Sequence, residues 1–471
     1  MSTQIQENPD YIEYIESHKD EYEKDLFELL SIPSISSQSE HDGDVARTAQ
    51  WICDRLTSMN LDASVVETTG HPAVFAQTKN PNPDLPTILF YGHYDVQPID
   101  PENLWKSKPF EPVIKDGFVY ARGASDDKGQ MFTHILGPEA WYKTTGSMPV
   151  NVKYILEGDE ESGGDAMDVF VRNNADLLAC DCVVISDSQM FAPGRPAICY
   201  GLRGLAYVEV IYKGPDKDLH SGTFGGAITN PANALCKAIG GVLDERSARV
   251  TFPDFYADVK PMEPIEQERI AALGIDETAF LASVGVTDSV GESGYTITER
   301  HWARPTFDVN GIVSGYTGEG SKTVLPAVAS AKMSCRLVPY QDPEKIVASI
   351  KQYFQDACPP GITMEFIVHS YTPAVIVDVN NPFVKAAAKT LEKAFGRSPE
   401  FTRDGGSIPI VSAFTEALNS PVLLLGWGQI TDNIHSPNER FCLADFHRGI
   451  KASAILLKQL AGIEPKSASK E

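Results

Sequence analysis

The run Thr87-Ile-Leu-Phe-Tyr-Gly-His93 is a short apolar segment that stops at a histidine, and three other apolar runs are each followed within ten residues by acidic or histidine residues. These runs and the residues that follow them are Val152 to Leu156 with Glu160 and Glu161, Cys182 to Ile185 with Asp187, and Val422 to Leu425 with His435. Short runs rich in Val, Ile and Leu are typical of buried strands in a largely parallel sheet. Such sheets bind ligands at the carboxyl ends of their strands, so we expect these side chains to form one site.

The length and charge of the chain bound its organisation and its partners. Its 471 residues exceed the roughly 250 to 300 residues of a single core, which predicts two domains. The net charge of −24 argues against nucleic acid or an anionic membrane as a partner. No apolar run approaches the ~18 residues of a membrane span, the N-terminal residues lack a secretion signal, and the eight cysteines are scattered. We therefore expect a cytoplasmic protein with reduced thiols.

The pattern of apolar residues changes near residue 204. Before it, helical spacings alternate with the short apolar runs, which indicates an α/β domain. After it, half-exposed strands and two helices predict a smaller α+β domain with antiparallel strands and helices on one face. Because the run Val422 to Leu425 and His435 come later, we expect this second domain, residues 205–372, to be inserted into a catalytic domain formed by residues 1–204 and 373–471.

His93 and Asp95 belong to the tripeptide His-Tyr-Asp and therefore share one face of a strand. Asp95 is too close in sequence to bind one ion comfortably together with His93. It suits a supporting role, in which it accepts a hydrogen bond from the imidazole or assists a neighbouring base. A single histidine at a strand end is more often structural, so the prediction depends on the carboxylates in equivalent positions.

Two pairs of adjacent acids supply those carboxylates. Asp126 and Asp127 would form an ordinary turn and helix cap, or would provide a carboxylate that bridges two cations. Glu160 and Glu161 would form a solvated acidic loop, or one would bind a metal while the other stays free as a base.

Together the candidate metal ligands are two histidines and three carboxylates, namely His93, Asp126, Glu161, Asp187 and His435. A mixed nitrogen and oxygen set suits Zn²⁺ or Mn²⁺ better than Mg²⁺ or Ca²⁺, which prefer oxygen alone. If Asp126 bridges, each of two ions has three protein ligands and room for water. This arithmetic predicts a two-metal hydrolase.

Five motifs, in the same order, resemble the M20 metallopeptidases, in particular their cytosolic nonspecific dipeptidase and carnosinase branch. The motifs are Gly92-His-Tyr-Asp-Val-Gln-Pro98, Arg122-Gly-Ala-Ser-Asp-Asp-Lys-Gly129, Glu157-Gly-Asp-Glu-Glu-Ser-Gly163, Ser186-Asp187 and His435-Ser-Pro-Asn-Glu439. The resemblance implies a phosphorylase/hydrolase-like α/β catalytic domain with an inserted α+β, ferredoxin-like lid and dimerisation domain. It also implies a cis peptide bond between Asp126 and Asp127.

The same resemblance implies a role for each motif residue. His93 and Asp187 would bind one metal, Glu161 and His435 the other, and Asp126 both. Glu160 would be the general base and Asp95 would support the site. In the inserted domain the implied residues are His220, which would act in the site of the partner subunit of a homodimer, and Thr323, Arg336 and Ser407, which would hold substrate. Without the resemblance, His220 is an ordinary loop residue beside Ser-Gly, and the role of His369 stays open.

We therefore predict a metallodipeptidase that uses two divalent ions, a water between them and Glu160 as general base. An N-acyl-amino acid deacylase or a carboxypeptidase of the same superfamily is the main alternative. The resemblance to the M20 family implies that an Asp rather than a Glu at position 187 favours the dipeptidase or aminopeptidase types. A non-catalytic metal-binding scaffold is the remote alternative, and a scaffold has no need of a free base.

Overall fold

The computed structural model describes residues 10–466, which form two compact units. The first contains the described residues up to Tyr200, then Val377–Thr402, and those from Ala413 onward. The second contains Gly201–Ile376 and Arg403–Ser412. None of the helices within residues 10–466 has the length and apolar composition needed to cross a bilayer.

The second unit differs in its bounds from the sequence-based expectation of 205–372. Its start and end move outward because Leu202 and Gly201 pair with Val375 and Ile376. Residues 403–412, which we expected in the catalytic domain, fold with the second unit. The reason is a set of hydrogen bonds that no local pattern reveals, among them the bond from Arg203 Nε to Gly405 O at 2.8 Å.

The first unit is built on a mixed sheet whose centre is parallel. In spatial order its strands are Leu61–Val66, Ala73–Thr78, Asn151–Glu157, Thr87–His93, Cys182–Ile185, Val422–Leu425 and Ala197–Leu202. Asn151–Glu157 through Val422–Leu425 run parallel to one another, and the flanking strands are antiparallel. These four parallel strands are the four apolar runs of the sequence, which confirms the predicted α/β sheet. Glu400–Asp404 adds a further strand beside Ala197–Leu202.

Helices complete the first unit at Asp10–Ser17, Lys19–Leu30, Asp42–Ser58, Lys128–Thr145, Ala166–Asn173, Ala175–Leu178, Pro382–Phe395 and Leu443–Leu460; Pro409–Leu418 spans the boundary between the units. The helix Lys128–Thr145 is buried on every side from Lys128 to Trp141, as is typical of a helix enclosed within a core. Phe132 of this helix shares the main core with Phe90, Tyr154 and Leu457. The core therefore fixes the start of this helix, where the Asp126-Asp127 motif lies.

Short elements surround the predicted site. Turns of 3₁₀ helix cover Ser39–His41, Glu102–Leu104 and Glu160–Ser162. A separate three-stranded antiparallel sheet has the strands Val113–Lys115, Phe118–Tyr120 and Arg440–Cys442, with Phe118–Tyr120 in the middle.

The second unit contains a four-stranded antiparallel sheet in the order Asp308–Ser314, Val328–Leu337, Gly204–Lys213, Thr363–Thr372. Alternate residues of Gly204–Lys213 are buried, and they share a core with the helices Pro231–Gly240 and Pro343–Asp356. This is the predicted α+β arrangement. The region 251–304, which has no clear periodicity, contains the helices Pro264–Ala272, Glu277–Ser283 and Ile297–Ala303. The short strands Leu219–His220 and Val324–Leu325 pair with each other, and the helical turn Ser221–Phe224 begins directly after the first of them.

Candidate metal centre

The carboxyl ends of the four parallel strands bring the predicted ligands to one edge of the sheet. His93 is the last residue of its strand, Glu160 and Glu161 lie in the turn after the strand Asn151–Glu157, and Asp187 follows Ile185 by two residues. One ligand atom from each of His93, Asp126 and Glu161 can be chosen so that all lie within 4.8 Å of one another. Residues that are far apart in sequence therefore form one compact donor cluster.

Asp126 lies between two imidazoles. His93 Nε2 is 3.1 Å from Asp126 Oδ1, and His435 Nε2 is 2.9 Å from Asp126 Oδ2. His435 Nε2 is also 3.3 Å from Glu161 Oε2. Each oxygen of Asp126 thus faces a different histidine, which is the arrangement that a carboxylate shared between two cations requires.

The charges of this cluster perturb its titration. Burial lowers the pKa of His93, but hydrogen bonds to Asp126 and Asp95 raise it more, so the net pKa lies well above the ordinary value. Hydrogen bonds to Asp126 and Glu161 raise the pKa of His435 to about 10. Burial raises the pKa of Asp126, but hydrogen bonds from the two histidines outweigh burial and leave it low. The carboxylates therefore favour positive charge beside them.

Two further carboxylates face the same cluster. Burial, together with the negative charge of Asp126, raises the pKa of Asp187 to about 7. Burial is also the main cause of the raised pKa of Glu160, with His93 acting in the opposite direction. Both groups are within electrostatic range of the cluster, whereas direct contacts join only His93, Asp126, Glu161 and His435.

Asp95 supports the turn that carries the two glutamates. Its side chain is fully buried, and its Oδ2 and Oδ1 accept hydrogen bonds from the backbone N–H of Glu161 at 2.9 Å and of Glu160 at 3.3 Å. His93 Nδ1 lies 3.1 Å from the main-chain oxygen of Asp95 and 3.4 Å from Oδ1. The main-chain oxygen is thus the nearer partner of the imidazole, and the carboxylate chiefly holds the turn.

Gln97, which the sequence did not single out, contacts a predicted ligand. Its Nε2 donates to Glu161 Oε2 at 2.7 Å, so one oxygen of that carboxylate is oriented by an amide. The only indication of this contact in the sequence is that Gln97 belongs to the His93 motif, two residues after Asp95. The chain there has just left the strand that ends at the site.

Glu439 is a second residue that sequence reasoning missed. Its buried carboxylate accepts hydrogen bonds from the backbone N–H groups of Gly123 at 2.8 Å, Ser125 at 2.9 Å and Asp126 at 3.1 Å. Arg122 Nη1 donates to the same carboxylate at 2.9 Å. Four donors therefore fix the loop before Asp126, which is joined to Asp127 by the cis peptide bond that the resemblance implied. The only indication of this role in the sequence was that Glu439 is the last residue of the His435 motif.

The loop that carries His435 is tied to the same region by amides and hydroxyls. Gln130 Oε1 accepts from the N–H groups of Trp427 at 2.6 Å and Gly428 at 3.0 Å, while its Nε2 donates to Ser125 O at 2.9 Å. Ser125 Oγ donates to Asp432 Oδ2 at 3.0 Å. These hydrogen bonds therefore join the segment before Asp126 to the segment before His435.

The predicted residues of the second unit form two local pairs. His220 is exposed, its Nδ1 accepts from Gly222 N–H at 3.0 Å, and the strand residue opposite it is Val324, directly after Thr323. Arg336 Nη1 donates to Ser407 Oγ at 3.0 Å.

His369 lies elsewhere in the second unit, on a bulged part of the strand Thr363–Thr372. Its Nε2 is 3.2 Å from Glu209 Oε2, and its ring centroid is 5.1 Å from that of Tyr207.

Known proteins share both the sequence and the fold. The Cys-Gly metallodipeptidase of Saccharomyces cerevisiae is 31% identical, over 94% of this chain and 96% of its own. The human Beta-Ala-His dipeptidase is 30% identical, over 95% of this chain and 92% of its own. The crystal structure of an M20 family metallo-carboxypeptidase from Sulfolobus solfataricus matches with a TM-score of 0.82 and 33% identity, covering 94% of this chain and 100% of that one.

The comparison with protein families gives the same result. Residues 89–459 match the peptidase family M20/M25/M40, a range that includes His93, Asp126, Glu161, Asp187 and His435. The match covers most of the chain and contains every motif on which the resemblance was based. This protein therefore belongs to peptidase family M20/M25/M40 and is a metallopeptidase.

Proposed function

We propose that this protein is a metallodipeptidase that hydrolyses the peptide bond of dipeptides. The observation that carries the proposal is the half-buried carboxylate of Glu160, next to a cluster in which ligand atoms of His93, Asp126 and Glu161 lie within 4.8 Å of one another. A metal-binding scaffold would need the cluster but not the additional carboxylate. Relatives named Cys-Gly metallodipeptidase and Beta-Ala-His dipeptidase support a dipeptide as the substrate.

The donor set fits divalent metal ions. We assign His93 and Asp187 to one ion, Glu161 and His435 to the other, and Asp126 to both. The position of Asp126 between the two imidazoles supports the shared role. Two nitrogen and three oxygen donors favour Zn²⁺ or Mn²⁺, two ions per subunit.

Glu160 would move the proton in this reaction. Divalent ions in the site would polarise the scissile carbonyl and acidify a water molecule. Glu160 would take a proton from that water and deliver it to the leaving amine. Burial raises the pKa of Glu160, which brings the carboxylate closer to the range where a base both accepts and returns a proton at neutral pH. Asp95 would position Glu160 by accepting a hydrogen bond from the backbone N–H of Glu160.

We assign substrate positioning to residues of the second unit. Arg336 would hold the terminal carboxylate of the dipeptide through its guanidinium fork, beside Ser407, whose Oγ also donates to Arg203 O at 2.5 Å. Thr323 would contribute a further hydrogen bond. We propose that the protein is a homodimer in which His220 of one protomer stabilises the oxyanion in the site of the other. The exposure of the His220 ring supports a role outside its own unit's core.

Replacement of the base tests the mechanism. Glu160→Ala should abolish hydrolysis of Ala-Ala while the metal content stays at two ions per subunit. Asp159→Asn is the matched control, because Asp159 lies in the same turn and contacts the side chain of Ser162. Turnover in Glu160→Ala comparable to that of the unmodified protein would refute Glu160 as the base, and loss of metal would place it among the ligands.

A carboxypeptidase is the second candidate, and the likeness to the metallo-carboxypeptidase of Sulfolobus solfataricus favours it. Both activities would use the same metals and the same base. They differ in whether the substrate needs a free amino group close to the scissile bond. Ala-Ala should be cleaved and its N-acetylated form and longer peptides should not; efficient release of the last residue from N-acetylated or longer peptides would favour the carboxypeptidase.

We also propose a cytoplasmic location for the enzyme. The structure has no disulfide bond within residues 10–466, and four of the eight cysteines are buried. Free thiols are typical of a reducing compartment, where disulfides do not persist.

A further inference from the structure

A cavity of about 300 Å³ lies in the first unit, beside the three-stranded sheet. The polar residues that line it include Lys106, Lys115, Tyr120, Asn433, Asn438 and Arg440. None of the predicted ligands, bases or substrate residues is among them. The cavity is therefore distinct from the metal centre, although Asn433 and Asn438 flank His435 in sequence.

The register of the small sheet brings its basic residues to one face. Arg440 is opposite Tyr120, and Tyr120 is opposite Val113 on the outer strand. Lys115 is two residues beyond Val113, and side chains two apart on a strand share a face. Arg440 and Lys115 therefore approach the cavity from the same side of the sheet.

The cavity is basic in a strongly acidic chain. The chain has 64 acidic residues against 40 basic ones, yet the residues that line this cavity include three cations and no acid. Within residues 10–466, none of Lys106, Lys115 and Arg440 forms an ion pair with a carboxylate. By contrast, the neighbouring Lys108 pairs with Glu111 at 2.5 Å. Arg440 also acts on the buried carboxylate of Asp432, whose pKa burial raises and the charge of Arg440 lowers, but Asp432 does not line the cavity. Three cations gathered around one cavity without an acid in its lining favour an anion.

The guanidinium of Arg440 is held in place by neutral groups. Its central carbon lies 4.2 Å from the ring centroid of Phe118, Nη1 donates to Tyr120 Oη at 3.4 Å, and Nη2 donates to Thr431 Oγ1 at 3.2 Å. Its Nε is buried and has no acceptor among the described residues. Nη1 and Nη2 use one N–H each in the bonds to Tyr120 and Thr431, so each keeps one N–H for an acceptor in the cavity.

We propose that this cavity binds a small oxyanion, a phosphate or carboxylate group, through Lys106, Lys115 and Arg440. Arg offers several donors in one plane and Lys offers a mobile ammonium, a combination that suits the oxygens of such a group. Lys106 N–H donates to Asn438 Oδ1 at 2.8 Å and Asn438 Nδ2 donates to Leu104 O at 3.0 Å. These bonds already join the 104–107 segment to the loop that carries His435, and an anion in the cavity would contact residues of both.

Calorimetric titration of the metal-loaded full-length protein with inorganic phosphate, and separately with acetate, tests the proposal at constant ionic strength. We expect saturable binding of at least one anion, and the tighter of the two identifies the group that the cavity prefers. Arg440→Gln, Lys106→Ala and Lys115→Ala should each weaken binding about tenfold or more, since each removes a hydrogen bond to a charged group. Lys108→Ala, outside the cavity, should leave the Kd unchanged.

The variants separate this site from the metal centre, where anions also bind. Binding that survives unchanged in the three variants would be binding at the metals or at other surfaces, and it would refute the proposal. An equal loss in Lys108→Ala would refute it too, because general charge would then explain the effect. The two lysines are exposed, so Lys106→Ala and Lys115→Ala still decide the matter if Arg440→Gln fails to fold.

Discussion

The substitution Asp95→Asn should weaken metal binding through the turn that carries Glu160 and Glu161. Asp95 is fully buried and accepts a backbone hydrogen bond on each carboxylate oxygen, from Glu161 at 2.9 Å and from Glu160 at 3.3 Å. Asparagine has the same shape, but its amide nitrogen donates and cannot accept. One of the two part-buried N–H groups therefore loses its partner.

The magnitude follows from those contacts. A hydrogen bond to a charged group contributes about 1.5 to 3 kcal/mol. The orientation of His93 should change little, because its Nδ1 lies 3.1 Å from the main-chain oxygen of Asp95, which the substitution keeps. The loss therefore falls on the turn that positions Glu160 and Glu161, and in binding it corresponds to about a 10- to 150-fold weaker metal affinity. Groups that orient metal ligands have effects of about 10- to 100-fold.

The assay is a metal titration in a chelator buffer, with dipeptidase activity as a second readout at saturating metal. We expect a raised Kd for metal and a reduced kcat, because Glu160 shares the displaced turn. Asp159→Asn in the same turn should leave both values within about twofold, since an asparagine oxygen can still accept from Ser162 Oγ. A Kd and a kcat for Asp95→Asn that also stay within about twofold of the unmodified protein would refute the reasoning.

Three further perturbations probe other contacts. Gln97→Ala removes the donor to Glu161 Oε2, so the metal concentration for half-maximal activity should rise about tenfold while kcat at saturating metal stays nearly constant. Arg336→Lys replaces a planar fork beside Ser407 with a point charge and should raise KM for Ala-Ala about tenfold in steady-state assays. Burial lowers the pKa of His134 to about 3, whereas the pKa of a histidine in the unfolded chain is about 6.5. Between about pH 6.5 and about pH 3, the imidazole is protonated in the unfolded chain but not in the folded one. The free energy of unfolding should therefore decrease as the pH falls, by up to about 1.4 kcal/mol per pH unit. His134→Asn should lose that part of the slope in urea unfolding from about pH 7 to about pH 4.

Matched variants serve as controls for these three. Gln50→Ala removes an amide that donates to the carboxylate of Asp54 on the surface, and it should not change the metal requirement. Arg195→Lys alters a guanidinium paired with Glu400 and should leave KM unchanged. Equal effects of Gln97→Ala and Gln50→Ala, or of the two arginine variants, would contradict the assigned contacts, and an unchanged pH slope in His134→Asn would contradict its burial as a neutral group.

The parallel centre of the sheet could be predicted because its strands are buried on both faces. The run Thr87–His93 is apolar almost throughout, so its pattern needs no knowledge of its neighbours. The antiparallel edge strand Leu61–Val66 buries only Leu61, so its apolar pattern is a weaker signal. The segment 403–412 could not be assigned from sequence, since its place depends on hydrogen bonds to Arg203 and Arg336, which are distant in the chain.

The same contrast applies to the candidate site. His93, Asp126 and Glu161 could be chosen because their chemistry is that of metal ligands and each lies beside a strand end or a helix start. Gln97 and Glu439 bind no metal in our assignment and act through hydrogen bonds to other residues. Their partners are more than 60 residues away in the chain, so only the folded structure identifies these contacts.

The position of Val422–Leu425 in the sheet has a consequence for synthesis on the ribosome. This strand lies between Cys182–Ile185 and Ala197–Leu202, although residues 203–421, which include most of the second unit, separate it from them in the chain. The emerging polypeptide must therefore keep a gap in the middle of the sheet while the continuous inserted segment is translated. The catalytic edge cannot assemble until Val422–Leu425 and His435 have left the exit tunnel, and a product that terminates before them will contain an incomplete sheet and lack His435 beside Asp126.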